Sequence, residues 1–353
     1  MDDRTNTDFI DTVKFTDYEE TLSDKFGERF RAYRKEYRKS LSYDINGFLP
    51  DFPLTVTLEL VNRCNLNCVM CYTVNHGEKK STLGLDKIKT ILDEGQKNGL
   101  PALVIGLGSE PLLFKGAKEV MSAAIGADVM DMFLGTNGVL LTEDVSNFLV
   151  DNEVARIEVS LDAATPETYT KVRGKDELKK IEANLRRLIE IKRARNATLP
   201  VIRLTFCVQD LNSHERGAFL EKWRDHVDYV DFQLLVDHGD IDELRDTGTV
   251  PDIEEVVVEK SHCAYPFNSL HVWANGNITP CCTFFAKSEK LVLGNVADTT
   301  LQEAWDGDKI AKIREEILTG NLNDICKVCL GNRGHDVFDE VSAANQDDKE
   351  TLS

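Results

Sequence analysis

From Leu54 to Val236 the chain alternates short β-rich runs with amphipathic helical segments, a rhythm that suits a parallel α/β sheet or barrel and few other architectures. The candidate strands are Leu54–Val61, Ala102–Gly106, Asp131–Gly135, Arg156–Asp162, Val201–Gln209 and Tyr229–Val236. Helical periodicity falls at about residues 85–98, 115–126, 143–151, 177–195 and 213–227. These strands are too few to close an eightfold barrel, so the expected class is α/β, a partial (β/α)6 TIM barrel.

Alternation inside the strands is more specific. Ile202, Leu204, Phe206 and Val208 share one face of a strand whose other face carries Arg203, Thr205, Cys207 and Gln209. In the first strand Thr55, Thr57 and Glu59 oppose the apolar positions, and in the fourth Glu158, Ser160 and Asp162 do the same. A parallel strand packed on both faces reads as nearly continuous apolar sequence. A barrel with one polar face therefore implies a lumen built for a ligand.

The barrel is expected to span residues 54–240, after a charged helical extension over 1–53 that ends at Gly47, Pro50 and Pro53. An acidic loop, 237–254, opens a Cys-rich C-terminal cap over 241–341, and 342–353 reads as a mobile acidic tail. Inside the cap, Ser269–Ala274, the turn Asn275-Gly276-Asn277 and Ile278–Phe284 form a candidate hairpin.

The 61 acidic residues exceed the 42 basic ones by a net −19 spread along the chain, which argues against a nucleic-acid partner. The basic runs 29–39 and 179–195 have apolar residues at helical spacing and read as solvated helix faces. No apolar run approaches the roughly 20 residues that span a bilayer, and the N-terminus lacks a signal-like apolar stretch. The expectation is a soluble, cytoplasmic protein with no membrane partner.

Nine cysteines without a secretion signal point to metal binding or catalysis rather than disulfides. Cys64, Cys68 and Cys71 have the spacing C-x3-C-x2-C on the loop leaving the first strand, at the edge where α/β barrels place chemistry. Three thiolates can hold three irons of a [4Fe–4S] cube and leave the last iron open to an external ligand. A zinc site completed by His76 is the alternative.

At these residues the sequence resembles the radical S-adenosylmethionine (SAM) superfamily, whose signature is this spacing with an apolar or aromatic residue, here Met70, before the third cysteine. Gly108-Ser109-Glu110-Pro111 resembles the family's Gly-Gly-Glu-Pro turn, which hydrogen-bonds the SAM amino group, with Ser109 in place of the second glycine. Thr136-Asn137-Gly138, and Ser160-Leu161-Asp162 with Arg173-Gly174, are similar to segments that surround the SAM ribose and carboxylate. The resemblance implies that Met70, Gly108, Ser109, Glu110, Thr136, Asn137, Ser160, Asp162 and Arg173 line a cofactor site. It also implies that SAM binds the open iron and is cleaved to a 5′-deoxyadenosyl radical, with flavodoxin or ferredoxin as electron donor.

Cys263, Cys281, Cys326 and Cys329 could supply the thiolates of a fully ligated cluster or of a zinc ribbon. Gly294-Asn295-Val296 and Leu301-Gln302-Glu303-Ala304-Trp305 between them resemble the SPASM/twitch caps of radical SAM enzymes, which carry auxiliary [4Fe–4S] clusters. Because Cys207 and Cys282 alone remain unassigned, the resemblance implies a twitch-like cap with one auxiliary cluster. The cap spacing is most similar to that of the 2-deoxy-scyllo-inosamine dehydrogenases.

Two reactions follow from the resemblance. One oxidises an alcohol of a carbohydrate-like or aminocyclitol small molecule, the auxiliary cluster accepting the electron. The other is redox-neutral epimerisation of a sugar or peptide residue, with Cys282 or Cys207 as the catalytic hydrogen donor. Cys282 stands where sulfatase-maturing relatives carry an aspartate; its plain alternative is a spare ligand beside Cys281, and that of Cys207 is a small buried hydrophobe. A zinc- or cluster-stabilised binding protein is the non-enzymatic reading. His76, Arg203, Gln209, Asp231 and Gln233 are further candidate substrate contacts.

Overall fold

The computed structural model describes residues 10–71, 80–106, 108–234, 262–282 and 289–332. His76, the acidic loop, the far end of the hairpin and the C-terminal tail lie outside the described residues. The chain begins with β1 (Ile10–Lys14), α1 (Tyr18–Phe26), α2 (Glu28–Leu41) and α3 (Tyr43–Asn46). The barrel follows as β2 (Thr55–Leu58), α4 (Leu85–Lys97), β3 (Ala102–Ile105), α5 (Ala117–Gly126), β4 (Asp131–Thr136), α6 (Glu143–Asp151) and β5 (Arg156–Ser160). It continues through α7 (Pro166–Arg173), α8 (Leu178–Ala194), β6 (Val201–Val208), α9 (Arg216–Trp223) and β7 (Tyr229–Leu234). Strands β2 to β7 are parallel and neighbour one another in chain order, the partial α/β barrel that the sequence implies.

The apolar positions of these strands, such as Val56, Leu103, Leu134, Ile157, Val159 and Leu204, are buried beneath the helices. Each full burial of a side chain this size is worth about 1.5–3 kcal/mol. The opposite positions of β5, Arg156, Glu158 and Ser160, keep partial access and face the lumen. Helix α7 escapes the periodicity argument because its apolar residues are few; Thr165 caps it, accepting from Thr168 N, and Pro166 starts it.

Two strand pairings lie beyond the sequence reading. The N-terminal segment is not wholly helical: β1 runs antiparallel along β7, with Thr12 opposite Asp231 and Val13 opposite Val230. A partial barrel leaves β7 with unpaired ladder groups, and β1 satisfies them. On the other flank β8 (Ser269–Val272) runs parallel to β2, from Thr55↔Ser269 to Leu58↔Val272. The hairpin of β8 and β9 (Asn277–Thr279), turned at Gly276 with φ 88°, thereby joins the barrel sheet. With β10 (Gly294–Asn295), the described residues form one ten-stranded sheet, β1-β7-β6-β5-β4-β3-β2-β8-β9-β10.

Helices α1 and α2 cover the N-terminal end of the barrel, where Leu22, Phe30 and Tyr33 pack with Leu54, Met130, Val201 and Tyr229. Arg34, in the first basic run, is tied to Glu19 at 2.6 Å and lies 4.5 Å over the Tyr37 ring. The C-terminal cap adds α10 (Tyr265–Asn268), α11 (Leu301–Asp306), α12 (Asp308–Thr319) and α13 (Asp324–Asn332). It docks through α11: Glu94 of α4 accepts from Leu301 N (3.0 Å) and Gln302 N (2.8 Å), and Trp305 Nε1 donates to Pro50 O (2.9 Å).

Candidate functional site

All of β2 to β7 point their C-terminal ends to one edge, where the loop 59–71, the turn 108–111 and the segments 136–138 and 160–162 meet. The cysteine loop is pinned by backbone bonds from Asn67 N to Arg173 O (3.2 Å) and Val69 N to Val172 O (2.9 Å). Gly174, at φ 74°, allows that approach, since a Cβ there would meet Asn67 O at 2.4 Å. Cys64 is exposed, Cys68 buried and Cys71 half-buried.

Hydrogen-bond donors converge on these sulfurs. Arg173 Nη1 donates to Cys68 Sγ (3.5 Å), and Asn137 Nδ2 donates to Cys64 Sγ (3.6 Å). Burial pushes both thiols up, while the Leu66 N–H and Asn137 oppose this at Cys64 and Arg173 opposes it at Cys68. Arg173 Nη2 is 2.5 Å from Asp162 Oδ2, and Asp162 Oδ1 accepts from Cys207 N (2.6 Å). Burial alone would lower the Arg173 guanidinium, but Asp162 and Cys68 hold it above its ordinary value. Asp162 also has φ 60°, an uncommon conformation that this network holds in place.

Glu110 faces inward. Its carboxylate accepts from Thr136 Oγ1 (2.8 Å), Asn137 N (2.8 Å) and Leu112 N (3.1 Å), so it braces the turn against the next strand. The neighbouring Ser109 Oγ is buried with no hydrogen-bond partner among the described residues, as befits a group facing a ligand. Three sulfurs with cationic and amide donors around them, beside an orphaned hydroxyl, fit an iron–sulfur cluster with a polar cofactor on its open iron.

Lower in the lumen, Arg203 contacts Asp231 Oδ2 and approaches Glu158 Oε2 to 3.4 Å through Nε. Thr12 Oγ1 donates to Asp231 Oδ1 (2.6 Å), and Gln233 Nε2 reaches Asp231 Oδ2 (3.5 Å). Arg203, Asp231 and Gln233 thus come together; the backbone N–H of Gln209 instead donates to Asn212 Oδ1 (2.8 Å) within a turn. Glu158 was readable only as a member of the polar face. Burial raises its carboxyl above the usual range, with Arg203 and Arg156 opposing. Thr12 left no sequence signal, because its place depends on the β1–β7 pairing. Cys207 lies across from Gln233 in register, and burial, with Asp162, pushes its thiol up to about 12.

In the cap, Cys263, Cys281, Cys326 and Cys329 line one cavity, walled by apolar side chains such as Leu291 and Ile313. Burial pushes the Cys326 thiol up to about 12, against a hydrogen bond from Asn323 Nδ2 (3.2 Å). Among the described residues, no group of three or more His, Cys, Asp or Glu side chains is placed to hold a single metal ion. Four thiols around one cavity supply the ligand number of a fully protein-ligated cluster. Cys282 follows Cys281 in the chain but is not among the cavity-lining residues.

Residues 58–205 match the radical SAM superfamily, and residues 263–330 match SPASM, an iron–sulfur cluster-binding domain. The chain carries a radical SAM domain and a SPASM domain. The two domains imply SAM, a [4Fe–4S] cluster and an auxiliary iron–sulfur cluster as its cofactors. The radical SAM protein is 26% identical over 205 residues to a probable GTP 3′,8-cyclase of Methanocaldococcus jannaschii, covering 58% of each chain. It is 36% identical over 124 residues to an AdoMet-dependent heme synthase of Methanosarcina barkeri, covering 35% of each. The match to the mycofactocin maturase MftC of Mycolicibacterium smegmatis is 33% over 125 residues, 35% of this chain and 31% of that one.

The chain therefore spans 58% of the cyclase's length and less of the other two. Among solved structures, SuiB of Streptococcus suis bound to SAM superposes with TM-score 0.56 at 14% identity, over 81% of this chain and 72% of that one. The protein anSMEcpe with bound AdoMet gives 0.55 at 17% identity, over 74% and 82%. At these identities the likeness concerns the fold. No helix among the described residues is long and apolar enough to cross a membrane.

Proposed function

We propose that this radical SAM protein oxidises an alcohol of a carbohydrate-like or aminocyclitol small molecule held in the polar lumen. When bound, SAM and the two clusters supply the hydrogen-abstracting 5′-deoxyadenosyl radical and an acceptor for the electron left on the substrate. Cys64, Cys68 and Cys71 hold the first cluster, with Arg173 and Asn137 favouring the thiolate forms. Met70, Gly108, Ser109, Thr136, Ser160 and Asp162 line the cofactor, and Glu110 braces the turn beneath it. A carbinol that has lost its C–H hydrogen becomes a carbonyl by giving up one proton and one electron. Glu158, on the lumen face with its carboxyl raised by burial, is placed to take the proton.

The observation that carries this reading is the single cavity shared by Cys263, Cys281, Cys326 and Cys329. Full ligation by protein leaves no open iron, which suits electron transfer rather than substrate coordination. The test is anaerobic turnover of the reconstituted enzyme with polyols and aminocyclitols, using reduced flavodoxin or ferredoxin as donor. A carbonyl product formed in step with 5′-deoxyadenosine is the expected result. Substrate recovered with solvent deuterium at carbon would refute oxidation.

Cys207 supports a second reading, epimerisation of a sugar or peptide residue. Its thiol, pushed up to about 12, keeps its S–H at neutral pH, and S–H rather than thiolate donates a hydrogen atom. Cys282 is the other candidate donor. Under this reading Cys207→Ala, or failing that Cys282→Ala, abolishes solvent-deuterium uptake while SAM cleavage continues.

A further inference from the structure

Three arginines on the lumen wall and its rim are each paired with a buried carboxylate of the chain. Arg156, at the start of β5, meets Asp131 of β4 through two parallel bonds, Nε to Oδ1 at 2.7 Å and Nη2 to Oδ2 at 2.9 Å. Arg203 of β6 contacts Asp231 Oδ2, while Thr12 Oγ1 holds the other oxygen of that carboxylate at 2.6 Å. At the rim Arg173 Nη2 lies 2.5 Å from Asp162 Oδ2. The side chains of Asp131, Asp162 and Asp231 are at most 1% exposed, so solvent does not screen these pairs. Glu158 is the carboxyl left over, 3.4 Å from Arg203 Nε. Three guanidiniums thus face four carboxyls, and the set carries no net positive charge whichever form Glu158 takes. Arg203 Nε is itself buried and makes no hydrogen bond among the described residues.

We infer that this lumen selects its substrate by charge, taking a neutral or cationic polyol and excluding anionic ones such as phosphate esters. The inference rests on the reading that the lumen holds the substrate alcohol. An anion leaving water needs a cation in return, and that cation must not already be neutralised. To pair with a phosphate, Arg203 would have to leave Asp231 and strand a buried carboxylate beside Glu158. Because Asp231 neutralises the guanidinium, the unused Nε–H offers a hydrogen bond without net charge, and a hydroxyl oxygen is the acceptor that suits it. Glu158 beside it accepts from a hydroxyl, the contact that precedes proton transfer, or pairs with an ammonium group. Like charge meeting like charge in a site of this kind suppresses the wrong ligand more than opposite charge strengthens the right one.

The test measures equilibrium binding by isothermal calorimetry to the full chain, reconstituted with its clusters and SAM and left unreduced. Three ligands share one ring: an uncharged cyclitol, its amino derivative and its monophosphate ester. The expected result is that the first two bind and that the ester binds at least about 100-fold more weakly than the cyclitol. An ester that binds as well as the cyclitol, or better, overturns the inference. The double variant Glu158→Gln/Asp231→Asn frees Arg203 of both carboxylates with little change of shape, and should narrow the gap by about tenfold or more. An unchanged gap in a folded, loaded double variant also overturns the inference; if the variant does not fold, the wild-type ranking decides alone. The two levels fail differently. Binding of none of the three ligands removes the lumen reading and this inference together, whereas an ester that binds tightly and is oxidised removes only the charge selection.

Discussion

Arg173 donates through Nη1 to Cys68 Sγ at 3.5 Å while its Nη2 sits 2.5 Å from the buried carboxylate of Asp162. One guanidinium therefore joins the first cysteine loop to the end of β5. Arg173→Met removes the donor to sulfur and leaves Asp162 buried without its cation, a loss that typically costs about 3–5 kcal/mol. A lower denaturant midpoint, and a SAM-binding cluster that loads poorly, are the expected outcomes by urea unfolding and absorbance. Full cluster occupancy with unchanged stability would contradict this role.

The two sites should empty independently. Replacing Cys64, Cys68 and Cys71 with alanine removes about four of about eight irons and abolishes SAM cleavage. Replacing Cys263, Cys281, Cys326 and Cys329 removes the other half, and the first cluster still binds SAM. Iron analysis paired with Mössbauer spectra of each variant checks both halves.

Glu94 ties the cap to the barrel by accepting the first backbone N–H groups of α11. Glu94→Ala leaves those donors to water at a cost of about 1 kcal/mol, in the range of helix-cap losses. Hydrogen exchange should quicken in 301–306 relative to α8. Equal protection in both proteins would show that Trp305 suffices for docking.

His271 on β8 is wholly buried, and desolvation lowers its imidazole from 6.5 to about 3. The unfolded chain takes up this proton as pH falls below about 6.5, while the native chain does not until about 3. The unfolded state therefore binds more protons across that window, and stability falls with pH by up to about 1.4 kcal/mol per pH unit. His271→Gln should flatten the acid limb of the stability curve between these limits, as read from denaturant midpoints. An equally steep limb in the variant would assign the acid sensitivity to other groups.

The sequence carried the β/α alternation, the polar lumen face and both cysteine groups, because each depends on local periodicity or on short spacings. Strands β2 to β7 fall where alternation places them, and Cys64, Cys68 and Cys71 sit on the loop after the first of them. The contacts of Glu158, Arg203 and Asp231 were half visible, as residues on the correct face with no indication of who meets whom. The inward turn of Glu110 was not visible at all, since a motif names a residue without saying which way its carboxylate faces.

Chain order and hydrophobic pattern by themselves determined a partial barrel with a metal-binding edge and a cysteine-rich cap. Tertiary structure alone decided that β1 closes one flank and β8 the other, that Thr12 reaches Asp231 across 219 positions, and that Tyr43 meets Cys263 across 220. The physical reason is that edge strands and buried polar groups must find partners. Which distant segment supplies them depends on packing in three dimensions, and no local pattern records it.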